Sequence, residues 1–209
     1  MSYDEEITAY QLDILKEIGN IGAGNAATAL SSLLSTKVDM AVPHVKVVSF
    51  DEMMDIAGGP ENVVVSVFLR IEGEMTGSMF FILSTQQAES FIRTLTKNPS
   101  FCFDEIGESE IGLSALQEMG NILSGSYLSS LSDFTNLNLY PTVPAIAIDM
   151  AGAIISFGLV ELSQAGDKVI VIDTELTDEG KHQAGANGQF FLLPDPESFK
   201  ILFRSLGVD

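Results

Sequence analysis

Residues 16–27 read Lys-Glu-Ile-Gly-Asn-Ile-Gly-Ala-Gly-Asn-Ala-Ala (KEIGNIGAGNAA), and residues 117–125 read QEMGNILSG. Glycine inside a helix costs roughly 1 kcal/mol against alanine. Yet apolar residues keep helical spacing through both stretches, at Leu12, Leu15, Ile18, Ile21, Ala26 and Leu30, and again at Ile122, Tyr127 and Leu131. A single gapless shift carries Leu12 onto Leu113, Glu17 onto Glu118, Gly19 onto Gly120 and Asn20 onto Asn121. It continues through Gly24/Gly125, Leu30/Leu131, Val42-Pro43/Val143-Pro144, Val45/Ile146 and Val47/Ile148. A register held through polar and apolar positions alike marks an internal duplication, and that duplication organises the chain.

Each half then proceeds alike. An apolar strand candidate follows the proline, at Val45–Phe50 and Ala145–Asp149. Two further strands follow: Val63–Ile71 with Gly77–Ser84 across the turn EGEMT, and Lys168–Leu176 with Gly188–Pro194 across a longer polar loop. Both halves close on a short helix carrying Glu-Ser-Phe, at Glu89–Phe91 and Glu197–Phe199. The expected organisation is one pseudo-symmetric domain over 1–209, with half one at about 8–98, a linker at about 99–109 opened by Asn98-Pro99, and half two at about 110–207. The expected fold class is α+β: duplicated helix-strand-strand-strand-helix units sharing a mostly antiparallel sheet with pseudo-twofold symmetry, two long helices packed on it.

Bulk properties narrow the function. The chain has 209 residues, 46% hydrophobic, enough for a sizeable core. Ten basic against 29 acidic residues give a net charge of −19, which repels nucleic acid and anionic lipid and suits a protein partner with a basic patch, or serves solubility alone. A single cysteine, Cys102, excludes an internal disulfide and reads as a buried packing residue. The start MSYDEEITAYQLD lacks a signal peptide's basic and apolar regions, and no apolar run approaches the roughly 20 residues that span a bilayer. The expectation is a soluble cytoplasmic protein.

Three readings compete for the glycine-rich stretch. Gly22-Ala23-Gly24-Asn25-Ala26-Ala27 fits a lone GxGxxA phosphate loop, but no strand precedes it and the second copy lacks the pattern. A helix stop at Gly19-Asn20 is the second, opposed by the apolar register beyond it. If the helix continues, Gly19, Gly22 and Gly24 allow close packing against a neighbour. That leaves Asn20 and Asn121 unexplained. The third reading is functional: Asp13, Glu17 and Asn20, and likewise Ser114, Glu118 and Asn121, fall on one helix face. An asparagine amide both donates and accepts. It can hold a water in line with a phosphorus atom while bonding a phosphoryl oxygen. A glutamate one turn away can bind a partner's lysine. Such a site is incomplete alone, so the phosphate and any metal arrive on the partner.

The pattern Asp/Ser-x3-Glu-x2-Asn-x22-Pro resembles that of the CheC/CheX/FliY phosphatases of bacterial chemotaxis. Both copies fit it, as Asp13, Glu17, Asn20, Pro43 and as Ser114, Glu118, Asn121, Pro144. The resemblance covers essentially the whole chain. It implies hydrolysis of the aspartyl-phosphate of the response regulator CheY, with Asn20 and Asn121 orienting water and Glu17 and Glu118 pairing with the regulator's lysine. It implies no cofactor on this chain, Mg²⁺ on the regulator, a second partner in the receptor deamidase CheD, and two sites on what duplication suggests is a monomer. The rival readings are a non-catalytic adaptor or flagellar-switch-like component binding the phosphorylated regulator, and a ligand sensor using a cleft between the halves.

Elsewhere the reading is bland. His44 and His182 lack metal-ligand company and triad partners. Met53–Gly59 suits either a protein contact or core and loop packing. Asp104, Glu105, Glu108 and Glu110 read as a solvated linker.

Overall fold

Thr8 starts the first long helix: its hydroxyl accepts from the Gln11 amide while the Gln11 side chain accepts from the Thr8 amide, a reciprocal capping box. In the computed structural model, which describes residues 7–102, 110–161, 168–178 and 186–206, helix α1 runs unbroken over Ala9–Leu34. The glycine-rich stretch is therefore neither a phosphate loop nor a helix stop. After α1 come β1 (Val38–Ala41), β2 (Val45–Val48), α2 (Phe50–Ile56), β3 (Val63–Gly73), β4 (Gly77–Ser84) and α3 (Thr85–Thr96). The same order follows as α4 (Glu110–Thr135), β5 (Leu139–Pro141), β6 (Ala145–Met150), α5 (Ala151–Glu161), β7 (Val169–Asp178), β8 (Ala186–Pro194) and α6 (Pro196–Ser205).

The short strands β1 and β5 and the short helices α2 and α5 are additions to the expected unit. Strand β2 ends at Val48 rather than Phe50 because Ser49 caps α2, its hydroxyl taking the Glu52 amide while the Glu52 carboxylate takes the Ser49 amide. The Ser49 amide and hydroxyl also both donate to the Glu52 carboxylate, at 2.9 and 3.1 Å, and hold its carboxyl below its ordinary range. Met53, within the stretch read as contact surface or core, is fully buried, which decides for core. Cys102 is half-buried rather than buried. Glu110 opens α4; Asp104, Glu105, Glu108 and His182 lie outside the described residues.

The strands form one eight-stranded antiparallel sheet in the order β1-β7-β8-β4-β3-β5, with β2 also on β7 and β6 also on β3. Each half thus lends its first strands to the other: β2 pairs with β7 (Val45 with Ile172), and β6 pairs with β3 (Ile146 with Val67). The hairpins β3–β4 and β7–β8 form as expected and join through β4 and β8. There Phe80 pairs with Phe191, each three residues beyond a glycine (Gly77, Gly188), so the approximate twofold passes between them.

Both sheet faces are covered. Val65, Val67, Leu69, Phe81, Ile170 and Phe190 face the core that contains α1 and α4, while Val64, Phe80, Ile82, Val171 and Phe191 face the core under α2 and α5. This accounts for central strands that read as continuous apolar runs rather than alternating ones.

The glycines divide by environment. A Cβ on Gly22 would stand 3.0 Å from Tyr127 Cα, so this glycine sets the approach of α1 to α4. A Cβ on Gly19 would meet Val42 at 3.3 Å. One on Gly24 would meet nothing within 4 Å, so packing does not explain Gly24. Gly22→Val is therefore expected to destabilise by about 1–3 kcal/mol through overpacking, and Gly24→Ala to stabilise by about 0.5–1 kcal/mol through helix propensity. Urea unfolding midpoints check both.

A polar clamp ties the β3–β4 hairpin to the start of α6. Arg70 donates to both carboxylate oxygens of Asp195 at 3.2 and 2.8 Å and to Ser78 Oγ at 2.9 Å. Thr76 Oγ1 donates to Asp195 at 2.6 Å, and the Thr76 amide donates to Ser198 Oγ at 2.8 Å. Burial opposes ionisation of Asp195, but the hydrogen bonds from Arg70 and Thr76 and the guanidinium charge prevail and hold its carboxyl below its ordinary range. A depressed carboxyl adds stability above its unfolded-state pKa, near 3.9, and loses it as pH falls through the folded value. Arg70→Met is expected to cost about 1–2 kcal/mol at neutral pH. The deficit relative to the unaltered chain should shrink below about pH 4, measured by urea titration across that range.

Candidate functional site

Helix α1 carries Asp13, Glu17 and Asn20, and helix α4 carries Ser114, Glu118 and Asn121. The opposite faces hold the helices down: Leu15, Ile18 and Ala23 on α1, and Leu116, Met119 and Leu123 on α4, are all buried. A Cβ on Gly120 would stand 2.5 Å from Val67 Cγ1, so α4 lies directly on β3 beside the motif. Asp13, Glu17, Ser114, Glu118 and Asn121 are exposed, and Asn20 is half-buried. The structure thus brings each expected trio together on one solvent-facing helix surface, with the opposite face packed into the core.

The two trios differ in their asparagines. The Val42 amide donates to Asn20 Oδ1 at 2.9 Å, and Asn20 Nδ2 donates to the Val42 carbonyl at 3.4 Å. The first carboxamide is thereby held on its own chain. Among the described residues, the Asn121 side chain has no hydrogen-bond partner. The loop ahead of each motif proline explains this. Val42 is 1% exposed and turned inward, with Pro43 half-buried. Val143 is 78% exposed, and Pro144 is turned inward instead. The inward residue has moved by one position between the loops.

Two contacts fix the second loop. Gln117 Nε2 donates to the Pro144 carbonyl at 3.2 Å. Thr142 bonds the Arg70 backbone twice, its amide donating to the Arg70 carbonyl and its hydroxyl accepting from the Arg70 amide, both at 2.9 Å. The corresponding residues of the first half are Lys16 and Ala41, which offer neither carboxamide nor hydroxyl. These residues lie outside the motif and escape the sequence reading; the available signal is the change in hydrogen-bonding groups at Lys16/Gln117 and Ala41/Thr142 within the aligned register.

Beside the second trio, a cleft of about 530 Å³ opens between the end of α3 and the start of α4, lined by Leu95, Thr96, Glu110, Ile111, Ser114 and Glu118. Two site residues line it, and its acidic rim suits a basic group. Exposed His44 contributes its backbone carbonyl, which accepts from the Asp173 amide at 3.1 Å.

A model of the CheC-like family matches residues 11–47 and 111–148, the two segments that carry the trios and their prolines. Over 207 residues the chain is 52% identical to the CheY-P phosphatase CheC of Bacillus subtilis, covering 99% of each. The chain belongs to the CheC-like family. Its fold matches that of Thermotoga maritima FliY, with a TM-score of 0.73 at 22% identity over 96% of this chain and 98% of that one. It also resembles a structure described as the CheX-CheY-BeF3-Mg+2 complex from Borrelia burgdorferi, at TM-score 0.51 and 18% identity over 83% and 95%. Among the described residues of this CheC-like chain, no helix is long and apolar enough to cross a membrane.

Proposed function

We propose that the chain hydrolyses the aspartyl-phosphate of a CheY-type response regulator. The observation that carries this reading is the Asn121 carboxamide, free among the described residues and one helical turn from the exposed Glu118 carboxylate on a helix seated against the sheet. The 52% identity to a protein named as a CheY-P phosphatase supports it.

The asparagine reaches the regulator's phosphate, its Oδ1 accepting a hydrogen bond from a water and its Nδ2 donating to a phosphoryl oxygen. The water oxygen bonds to phosphorus as the bond to the aspartyl oxygen breaks. The aspartate leaves as carboxylate, the water's proton passes to the phosphate, and inorganic phosphate is released. The asparagine works by position and needs neither a covalent intermediate nor a shifted pKa. Glu118, and Glu17 in the first half, bind the lysine beside the phospho-aspartate and fix the approach. Asp13 or Ser114 one turn earlier, and Pro43 or Pro144 in the adjoining loop, support each site. Mg²⁺ stays with the regulator, and no cofactor is assigned to this chain.

On the strength of the family resemblance, the chain carries two such sites on a monomer, one per half, and takes the receptor deamidase CheD as a second partner. The test is decay of the phosphorylated regulator with and without the chain, alongside a binding measurement. Faster decay supports the enzyme; binding without faster decay makes the chain an adaptor.

A further inference from the structure

The same motif stands in two states in one molecule. In the first half the carboxamide is paired at both ends with the Val42 backbone, and it must release that pair before it can reach a phosphoryl group on another protein. In the second half the Val143 amide and the Asn121 side chain make no hydrogen bond with each other or with any other described residue. The amide that would latch Asn121 is carried outward with Val143, because Pro144 occupies the inward position.

We infer that the first motif rests latched and the second rests open, and that the residue one turn before the motif asparagine, Lys16 or Gln117, sets which state each adopts. Gln117 can do this because its carboxamide grips the Pro144 carbonyl and keeps that residue turned in. Lys16 makes no hydrogen bond or ion pair among the described residues. An ammonium on a flexible stem stays hydrated rather than gripping one carbonyl. Val42 is then free to turn inward over Gly19, where its methyls fill the space that a Cβ would meet at 3.3 Å. Gln117 is thus a positioning residue for Asn121: it keeps the carboxamide available without touching substrate. A latched motif binds its partner only from the released fraction, so the latch raises KM and leaves kcat at saturation unchanged.

The effect on hydrolysis rests on the proposed function, but the latch itself is testable without it. Amide hydrogen exchange is followed by NMR on the full chain, comparing the unaltered protein with Asn20→Ala, Lys16→Gln and Gln117→Met. The expected pattern is a protected Val42 amide and an unprotected Val143 amide. Val42 should exchange about tenfold faster in Asn20→Ala and in Lys16→Gln, and Val143 should gain protection in Gln117→Met. Unchanged Val42 exchange in Asn20→Ala overturns the latch. Unchanged Val42 and Val143 exchange in Lys16→Gln and Gln117→Met overturns the assignment to positions 16 and 117. In an Asn121→Ala background, Lys16→Gln should lower the KM for phosphorylated regulator severalfold at constant kcat. A change in kcat alone contradicts the latch. If the exchange pattern appears but no chain accelerates decay, the latch stands and the phosphatase reading falls.

Discussion

At regulator concentrations below KM, Asn121→Ala is expected to remove most of the acceleration of aspartyl-phosphate decay, and Asn20→Ala the smaller share. At a given site, deleting the one group that orients water and contacts the phosphoryl oxygens costs about 10²–10³ in rate, by analogy with loss of a single transition-state donor. The division between sites follows from geometry. Asn121 is exposed and unpaired among the described residues, whereas Asn20 must first break two hydrogen bonds to Val42. The Asn121→Ala chain therefore retains only what the first site supplies from its released fraction. Rates over a series of regulator concentrations apportion the two, with a higher KM for the site that remains. An Asn20→Ala chain that loses more than Asn121→Ala contradicts the assignment of open and latched motifs.

Phe190→Ala is expected to carry the largest stability effect, about 3–5 kcal/mol. Phe190 is 1% exposed, with ring centroids 4.5 Å from Phe81 and 4.3 Å from Tyr127. Tyr127 lies against Gly22 of α1, and its hydroxyl pairs with Thr174 Oγ1 at 3.1 Å inside the core. Burial pushes the Tyr127 phenol up to about 12, against the smaller opposing effect of the Thr174 hydrogen bond. One ring thus joins β4, β8, α4 and, through Tyr127, α1. Its loss leaves a cavity that rigid neighbours from both halves cannot collapse. That is a large part of the roughly 5–15 kcal/mol that holds such a protein folded. Equilibrium urea unfolding measures it, with Ile201→Ala on the outer side of α6 expected to stay within about 0.5 kcal/mol.

Much of this arrangement was legible in the sequence, and the illegible parts have physical reasons. The long helices and the β3–β4 and β7–β8 hairpins were legible because periodicity, turn residues and the 17/118 register agreed. Helix α2 was hidden although its Ser49-x-x-Glu52 box was present, since the apolar run before it suggested a longer strand. Helix α5, Ala-Gly-Ala-Ile-Ile-Ser-Phe-Gly-Leu-Val-Glu, has little polar contrast to give it a period. The exchange of β2 and β6 between halves could not be read, because a strand's pattern shows which side is buried and not which strand lies beside it. Both motif trios were legible from spacing alone. Their different states were not, because these turn on a one-residue shift in a loop that Gln117, outside the motif, contacts at the Pro144 carbonyl.

The most direct measurement is the decay of a phosphorylated CheY-type regulator in Mg²⁺, alone, with the unaltered chain and with the Asn20→Ala, Asn121→Ala double variant. Water positioning by the two asparagines requires faster decay with the unaltered chain and the spontaneous rate with the double variant, which still binds the regulator through Glu17 and Glu118. A double variant that accelerates decay as well as the unaltered chain would contradict it, as would an unaltered chain that binds without changing the rate.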